Sequence, residues 1–213
     1  LQQQLMENPN FFFAFVAGSQ LALLVVLVTA ACLSKVPWKA RLNLGWGDGS
    51  LRLLPLWCLA CLGCGVVGDW LALVVEWLGV MDPSQSSYIQ TFETLAENLS
   101  VEQGVVFVIL ISVLPGFVEE MFFRGYIQTR LVQRWPSWQS VVLCSFIFAA
   151  YHMDPLQSVA LIPLALWLGF LAYRVGGILP SITCHLFNNF ISSLLIVSLG
   201  PGVIEAEVAP GMV

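Results

Sequence analysis

Charge is what this chain has least of. Only 10% of its 213 residues are Asp, Glu, Lys or Arg, against about 25% in an ordinary soluble domain. Eight Lys and Arg face 13 Asp and Glu, a net charge of −5. A nucleic-acid binder needs a basic patch, so nucleic acid is excluded as a partner. The chain has only two histidines and no low-complexity or strongly polar tract of the kind that keeps a chain disordered. Apolar residues, by contrast, make up 58% of it, with a mean hydropathy of +0.85. Too few polar residues remain to cover a soluble core. The expected fold class is all-α: a polytopic membrane helical bundle.

Six cysteines, Cys32, Cys58, Cys61, Cys64, Cys144 and Cys184, all sit in apolar surroundings and make no disulfide framework. Cys58, Cys61 and Cys64 form a C-x-x-C-x-x-C run, a spacing that iron–sulfur and zinc sites use. No fourth ligand stands nearby. On a helix the three sulfurs lie along one side with Gly65 and Gly68, and such small residues let membrane helices approach closely. No cleavable signal peptide is expected. The first apolar run has no basic stretch before it and is long enough to span.

Apolar runs place six spans: Phe11 to Leu33, about Leu53 to Val80, Gly104 towards Arg134, Trp138 to His152, Leu156 to Tyr173, and Ile178 to Leu199. Between the second and third, Ile89, Phe92, Leu95 and Leu99 recur at helical spacing, with Glu93 and Glu97 on the other face. That pattern predicts a short helix on the membrane surface. The bases sort cleanly. Lys35, Lys39, Arg41 and Arg52 fall in the first link, Arg130 and Arg134 in the third, and Arg174 in the fifth. Six alternating spans put these links on one side, which the positive-inside rule makes cytoplasmic. Glu7, Asp82, Glu93, Glu97, Glu102, Asp154, Glu205 and Glu207 fall on the other side, and both termini are expected outside.

Ionisable residues within spans are costly and are functional candidates by default. Asp69 and Glu76 lie towards the outer end of the second span, where a carboxylate reaches water, and read as structural. Glu119, Glu120, Arg124, His152 and His185 remain. Glu119 lies 16 residues before Trp135, and His152 lies 16 after Pro136. In an antiparallel pair of helices both are ~24 Å from the turn. The third span is too long for the bilayer, and Pro115-Gly116 offers a bend. With that turn protruding into the cytosol, the two residues stand about one-third to one-half of the way into the apolar core. His185 lies ~12 Å into the sixth span from the same side. Glu120 and Arg124 are one helical turn apart and can pair. Glu119 points about 100° away from Glu120, free to face a cavity. His185 and Asn189 share a face, and Phe148 lies one turn before His152, placed to wall the site against lipid.

Glu119-Glu120-x-x-x-Arg124, Phe148-x-x-x-His152 and His185-x-x-x-Asn189, in order on separate spans, resemble the motif set of the CPBP (CAAX protease/Abi) intramembrane proteases. That family includes the Ras-converting CAAX endopeptidase. The resemblance covers about Gly104 to Leu199. It divides the chain into an N-terminal membrane region (1–103), a catalytic core (104–200) and a tail (201–213). It implies an intramembrane endopeptidase acting on a membrane-associated peptide or protein, with membrane lipid around it. Glu119 and His152 would activate a water, and His185 and Asn189 would donate to the oxyanion. Glu120 with Arg124 would hold the helix in place.

The same side chains offer a zinc alternative, with Glu119, His152 and His185 as ligands and the second Glu as base. The metal-free glutamate mechanism is preferred, because no H-E-x-x-H helix supplies paired ligands. Other functional classes are a bacteriocin-immunity or binding protein of the same family, and a proton-coupled transporter whose Glu and His line a relay. A polar network that merely holds the bundle together is the structural reading. No inverted repeat or pair of broken helices speaks for a transporter.

Overall fold

The computed structural model describes residues 8–199, and all regular structure there is helical. Helix α1, Pro9–Cys32, starts where the Asn8 side chain accepts from the amides of Asn10 and Phe11, with Pro9 in the first turn, where no N–H is needed. Helix α2, Trp38–Arg41, is a single turn in the following link. Helix α3, Leu54–Trp77, follows a 3-10 turn at Leu51–Leu53. Helix α4, Ser87–Asn98, is the expected amphipathic segment and turns Ile89, Phe92 and Leu95 onto the bundle.

Helix α5, Val101–Glu120, opens on a capping box between Ser100 and Gln103. It runs on as a π-helix, Met121–Gln128, and ends in α6, Thr129–Val132. Helices α7, Ser137–Tyr151, α8, Pro155–Val175, and α9, Leu179–Leu199, complete the bundle. The irregularity in the third span thus falls after Glu120, not at the expected Pro115-Gly116 bend, since α-helix continues through both residues.

Five helical segments are long and apolar enough to cross a membrane. The six expected spans therefore appear as five long ones and a short apolar α7 of 15 residues, about 22 Å end to end. Leu21, Val25, Leu59, Val66, Val105 and Ile109 are exposed on the outside, as a lipid-facing surface requires. Glu7, Glu205, Glu207 and the tail 201–213 lie outside the described residues.

Helix α9 packs against α5 and α3, α8 against α3 and α7, and α1 against α5. Small residues set these distances. A Cβ on Gly68 would stand 1.8 Å from the Ala160 carbonyl oxygen, so α3 and α8 meet at backbone contact there. The cysteine run packs similarly: Cys58 Sγ lies 3.8 Å from Cys184 Sγ, and Cys61 donates to the Cys184 carbonyl at 3.5 Å. The sulfurs are helix-contact groups, as the spacing with Gly65 and Gly68 suggested.

The two ends of the bundle differ in chemistry. At one end the first link clasps the fifth. Ile178 and Leu179 donate their amides to Asn43 and Gly45, and Asp48 donates to Val175. Gly47 has φ +57°, and its missing side chain is required, since a Cβ would fall 1.8 Å from the Val175 oxygen. Arg41 and Arg130 meet at this end over the ring of Tyr126. At the other end Asp154 accepts from Ser86 and Ser87 hydroxyls and the Tyr88 amide, at 3.0, 3.3 and 3.2 Å. The basic links therefore share one end, and the second and fourth links share the opposite one.

Candidate functional site

Glu120 and Arg124 lie on successive turns where α5 passes into the π-helix. Arg124 Nη1 donates to Glu120 Oε1 at 2.8 Å, and both side chains are wholly buried. A second hydrogen bond ties the same oxygen to another helix: His185 Nδ1 stands 2.9 Å from Glu120 Oε1. Since the carboxylate can only accept, Nδ1 carries the proton and Nε2 is the imidazole atom left for other work. The Arg124 Nη2 donates to the Ala165 carbonyl at 3.0 Å, and its guanidinium lies 4.3 Å from the centre of the Phe148 ring. Such an ion pair is tolerable at this depth only because further groups share its charge.

Phe148 is the hub. It is fully buried, with His152 at 5.1 Å and His185 at 5.8 Å between ring centres. It packs edge-on against both imidazoles. His152 closes α7, and its Nδ1 meets the Phe148 carbonyl at 3.1 Å. The carbonyl is an acceptor, so Nδ1 again holds the proton and Nε2 presents a lone pair in the neutral ring. Met153 then takes a left-handed φ of 57°, and Asp154 caps α8. The cluster thus reaches the end of the bundle formed by the second and fourth links. It is not confined to the basic half that the height arithmetic suggested, because α7 is short and ends at His152.

Glu119 is 4% exposed. Its Oε1 accepts from Gln20 Nε2 of α1 at 2.8 Å. Its carboxylate lies within electrostatic reach of the His152 ring and the Tyr151 phenol. The Tyr151 phenol lies near Ser19, so two neighbouring residues of α1 reach the cluster. The amide orientation of Gln20 follows from the carboxylate, which can only accept. Gln20 Oε1 is buried and has no partner among the described residues.

Asn189 bonds a backbone carbonyl of the neighbouring helix. Its Nδ2 donates to the Ile111 carbonyl at 3.3 Å. Pro115 has no N–H to offer that carbonyl four residues back, so Asn189 supplies the missing donor and lets the helix run through the proline. Asp69 and Glu76 both lie on α3: Asp69 is exposed, and Glu76 is at the helix's last turn.

Glu119, Glu120, Arg124, His152 and His185 were visible as rare ionisable groups. Gln20 was missed, although it and Ser19 are the polar break in the middle of the first apolar run.

The family expectation of zinc meets a clear test. Among the described residues no three His, Cys, Asp or Glu side chains stand where they could hold a metal ion. His185 Nδ1 and Arg124 both occupy Glu120 Oε1, and Glu119 Oε1 is occupied by Gln20. The set Glu119, His152 and His185 does not assemble as a ligand set.

Residues 101–191 match the family model described as type II CAAX prenyl endopeptidase Rce1-like. Residues 101–191 are similar to that family. The match begins at the capped start of α5 and ends within α9, so it takes in every motif residue of the cluster. No curated protein and no solved structure matches the chain. The Rce1-like segment holds both histidines and the paired glutamates, whereas Gln20 comes from outside it.

Proposed function

We propose that this protein is an intramembrane endopeptidase that hydrolyses a peptide bond of a membrane-associated substrate. The observation that carries the reading is the asymmetry of the paired glutamates. Glu120 Oε1 is held by both Arg124 and His185, while Glu119 has one hydrogen-bonding partner among the described residues and lies within electrostatic reach of His152. A water between Glu119 and the lone pair of His152 Nε2 donates one hydrogen to each and keeps an oxygen lone pair for attack. As that oxygen bonds to the scissile carbonyl carbon, Glu119 takes the proton. The oxyanion forms towards His185, whose ring is oriented by its Nδ1–H bond to Glu120 and whose Nε2 donates to the oxyanion when it carries a proton. Asn189, with one hydrogen committed to Ile111, has a second to give. The C–N bond then breaks, and Glu119 returns the proton to the leaving amine.

The positive-inside rule orients the basic end to the cytoplasm. A panel of membrane-spanning and membrane-anchored peptides, incubated with the purified chain in detergent, tests the reading. Cleavage by the wild type and none by Glu119→Gln supports it. Equal cleavage by both would sink it.

A further inference from the structure

The basic end of the bundle carries a cavity of about 670 Å³ that shares no lining residue with the cluster around Glu119. Arg41, Arg130 and Arg134 line it, and no Asp or Glu does. Arg41 and Arg130 hold their guanidinium carbons 5.6 and 3.9 Å from the centre of the same Tyr126 ring. The two like charges repel each other. Neither the Arg124–Glu120 pair nor the His185–Glu120 pair involves these arginines. Arg41 spends one nitrogen on Ser34, and its Nε is buried with no acceptor. Arg134 is exposed at the rim.

Like charges gathered in a partly buried cavity favour an anion, and guanidinium forks match the oxygens of a phosphate. Val36, Ala40, Ile127 and Leu131 form an apolar part of the wall, and Tyr126, Thr129 and Gln133 complete it. A free phosphate gains nothing from the apolar part. A headgroup followed by glycerol and methylenes does, and basic pockets at membrane-helix ends recognise such headgroups. We propose that this cavity holds the phosphate of an anionic lipid headgroup, with Arg41, Arg130 and Arg134 as its donors.

Native mass spectrometry of the full chain, released from detergent after titration with phosphatidylglycerol, phosphatidylcholine or inorganic phosphate, tests this. Phosphatidylglycerol should be retained at least about tenfold more tightly than phosphatidylcholine. Arg134→Gln, at an exposed position, should weaken it about fivefold, the equivalent of about 1 kcal/mol per base. Arg130→Gln/Arg134→Gln should weaken it about 25-fold. Arg52→Gln, at the same end but outside the cavity, should leave it unchanged. Equal retention of the two lipids overturns the proposal, as does an Arg52→Gln loss matching that of Arg134→Gln, which means bulk surface charge. Inorganic phosphate displacing the lipid at equal concentration overturns the lipid as occupant and makes the cavity a free-anion site.

Discussion

Two carboxylates adjacent in sequence occupy opposite kinds of surroundings. The region around Glu120 is closed: a guanidinium and an imidazole meet on one oxygen, an aromatic ring lies beneath the guanidinium, and a backbone carbonyl takes a further proton. The region around Glu119 is sparsely bonded, with a single neutral amide from α1 and the edge of the His152 turn. Burial alone does not separate them, since both side chains are almost fully covered. What differs is the kind of donor each meets: Glu120 Oε1 holds a guanidinium and an imidazole, although its Oε2 is buried without a partner among the described residues, whereas Glu119 holds one neutral amide. A carboxylate paired with a guanidinium holds a structure together, whereas one paired with a neutral amide keeps more of its basicity.

The comparison breaks if the two glutamates behave alike. The largest expected effect is on turnover. Glu119→Gln should lower the cleavage rate by about 10²- to 10⁴-fold, the range for losing a general base, with the melting temperature kept near wild type. Glu120→Gln should instead unfold early, because Arg124 is left unpaired at a cost of about 3–5 kcal/mol. Thermal unfolding and cleavage measured together in one detergent decide it, and a destabilised Glu119→Gln beside a stable, inactive Glu120→Gln would reverse the roles. Replacing Glu120 and Arg124 together with neutral residues should recover part of the lost stability, since no lone charge stays buried.

A smaller effect sharpens the sparse side. Gln20→Leu removes the one donor to Glu119 and should cost about 1.5–3 kcal/mol, the scale of a hydrogen bond to a charged group. If Gln20 positions the carboxylate for proton transfer, the pH profile of cleavage should also move, while Gln20→Asn restores only part of either. An unmoved profile would make the contact purely structural.

The smallest effect concerns a third carboxylate, Asp154, at the rim. Burial pushes its carboxyl up, but donors from Gln157, Tyr88, Ser86 and Ser87 outweigh that and hold it below the usual carboxylate range. A depressed folded value means stability that is fully present above the unfolded value of about 3.9 and is lost as pH falls through the folded one. Melting curves from pH 6 down to pH 3 should show that loss, and Asp154→Asn should flatten it. Asp154→Ala should cost about 0.5–2 kcal/mol at neutral pH, as loss of a helix N-cap does.

Much of this arrangement was legible in the residues. Apolar runs located every long helix within a few positions, because only intrahelical hydrogen bonds satisfy the backbone in lipid. The spacing of Glu120 and Arg124 gave their pairing outright. The sequence spacing did not reveal the π-helix at Met121–Gln128, since that geometry leaves no composition signature. Nor did it show that Asn189 serves the carbonyl freed by Pro115, which depends on how α9 packs against α5. Gln20 escaped because it carries no charge, and a search for ionisable groups passes over a neutral amide. Counting residues from the turn set Glu119 and His152 at one height, but it could not tell how close to the far end of the bundle a 15-residue helix would bring His152.

That helix has a consequence for the membrane itself. At about 22 Å, α7 falls about 8 Å short of a ~30 Å hydrocarbon layer. Its neighbours α8 and α9 are 21 residues each and meet no such deficit. A helix that short is matched by local thinning of the bilayer, by snorkelling of flanking side chains or by association with another helix, each at fractions of a kcal/mol per Å of mismatch. Where thinning is the response, it falls on the flank that carries His152 and brings water towards it. Short-chain lipids relieve the mismatch and thick, ordered ones aggravate it, so the thickness of the surrounding membrane bears on how readily this flank is wetted.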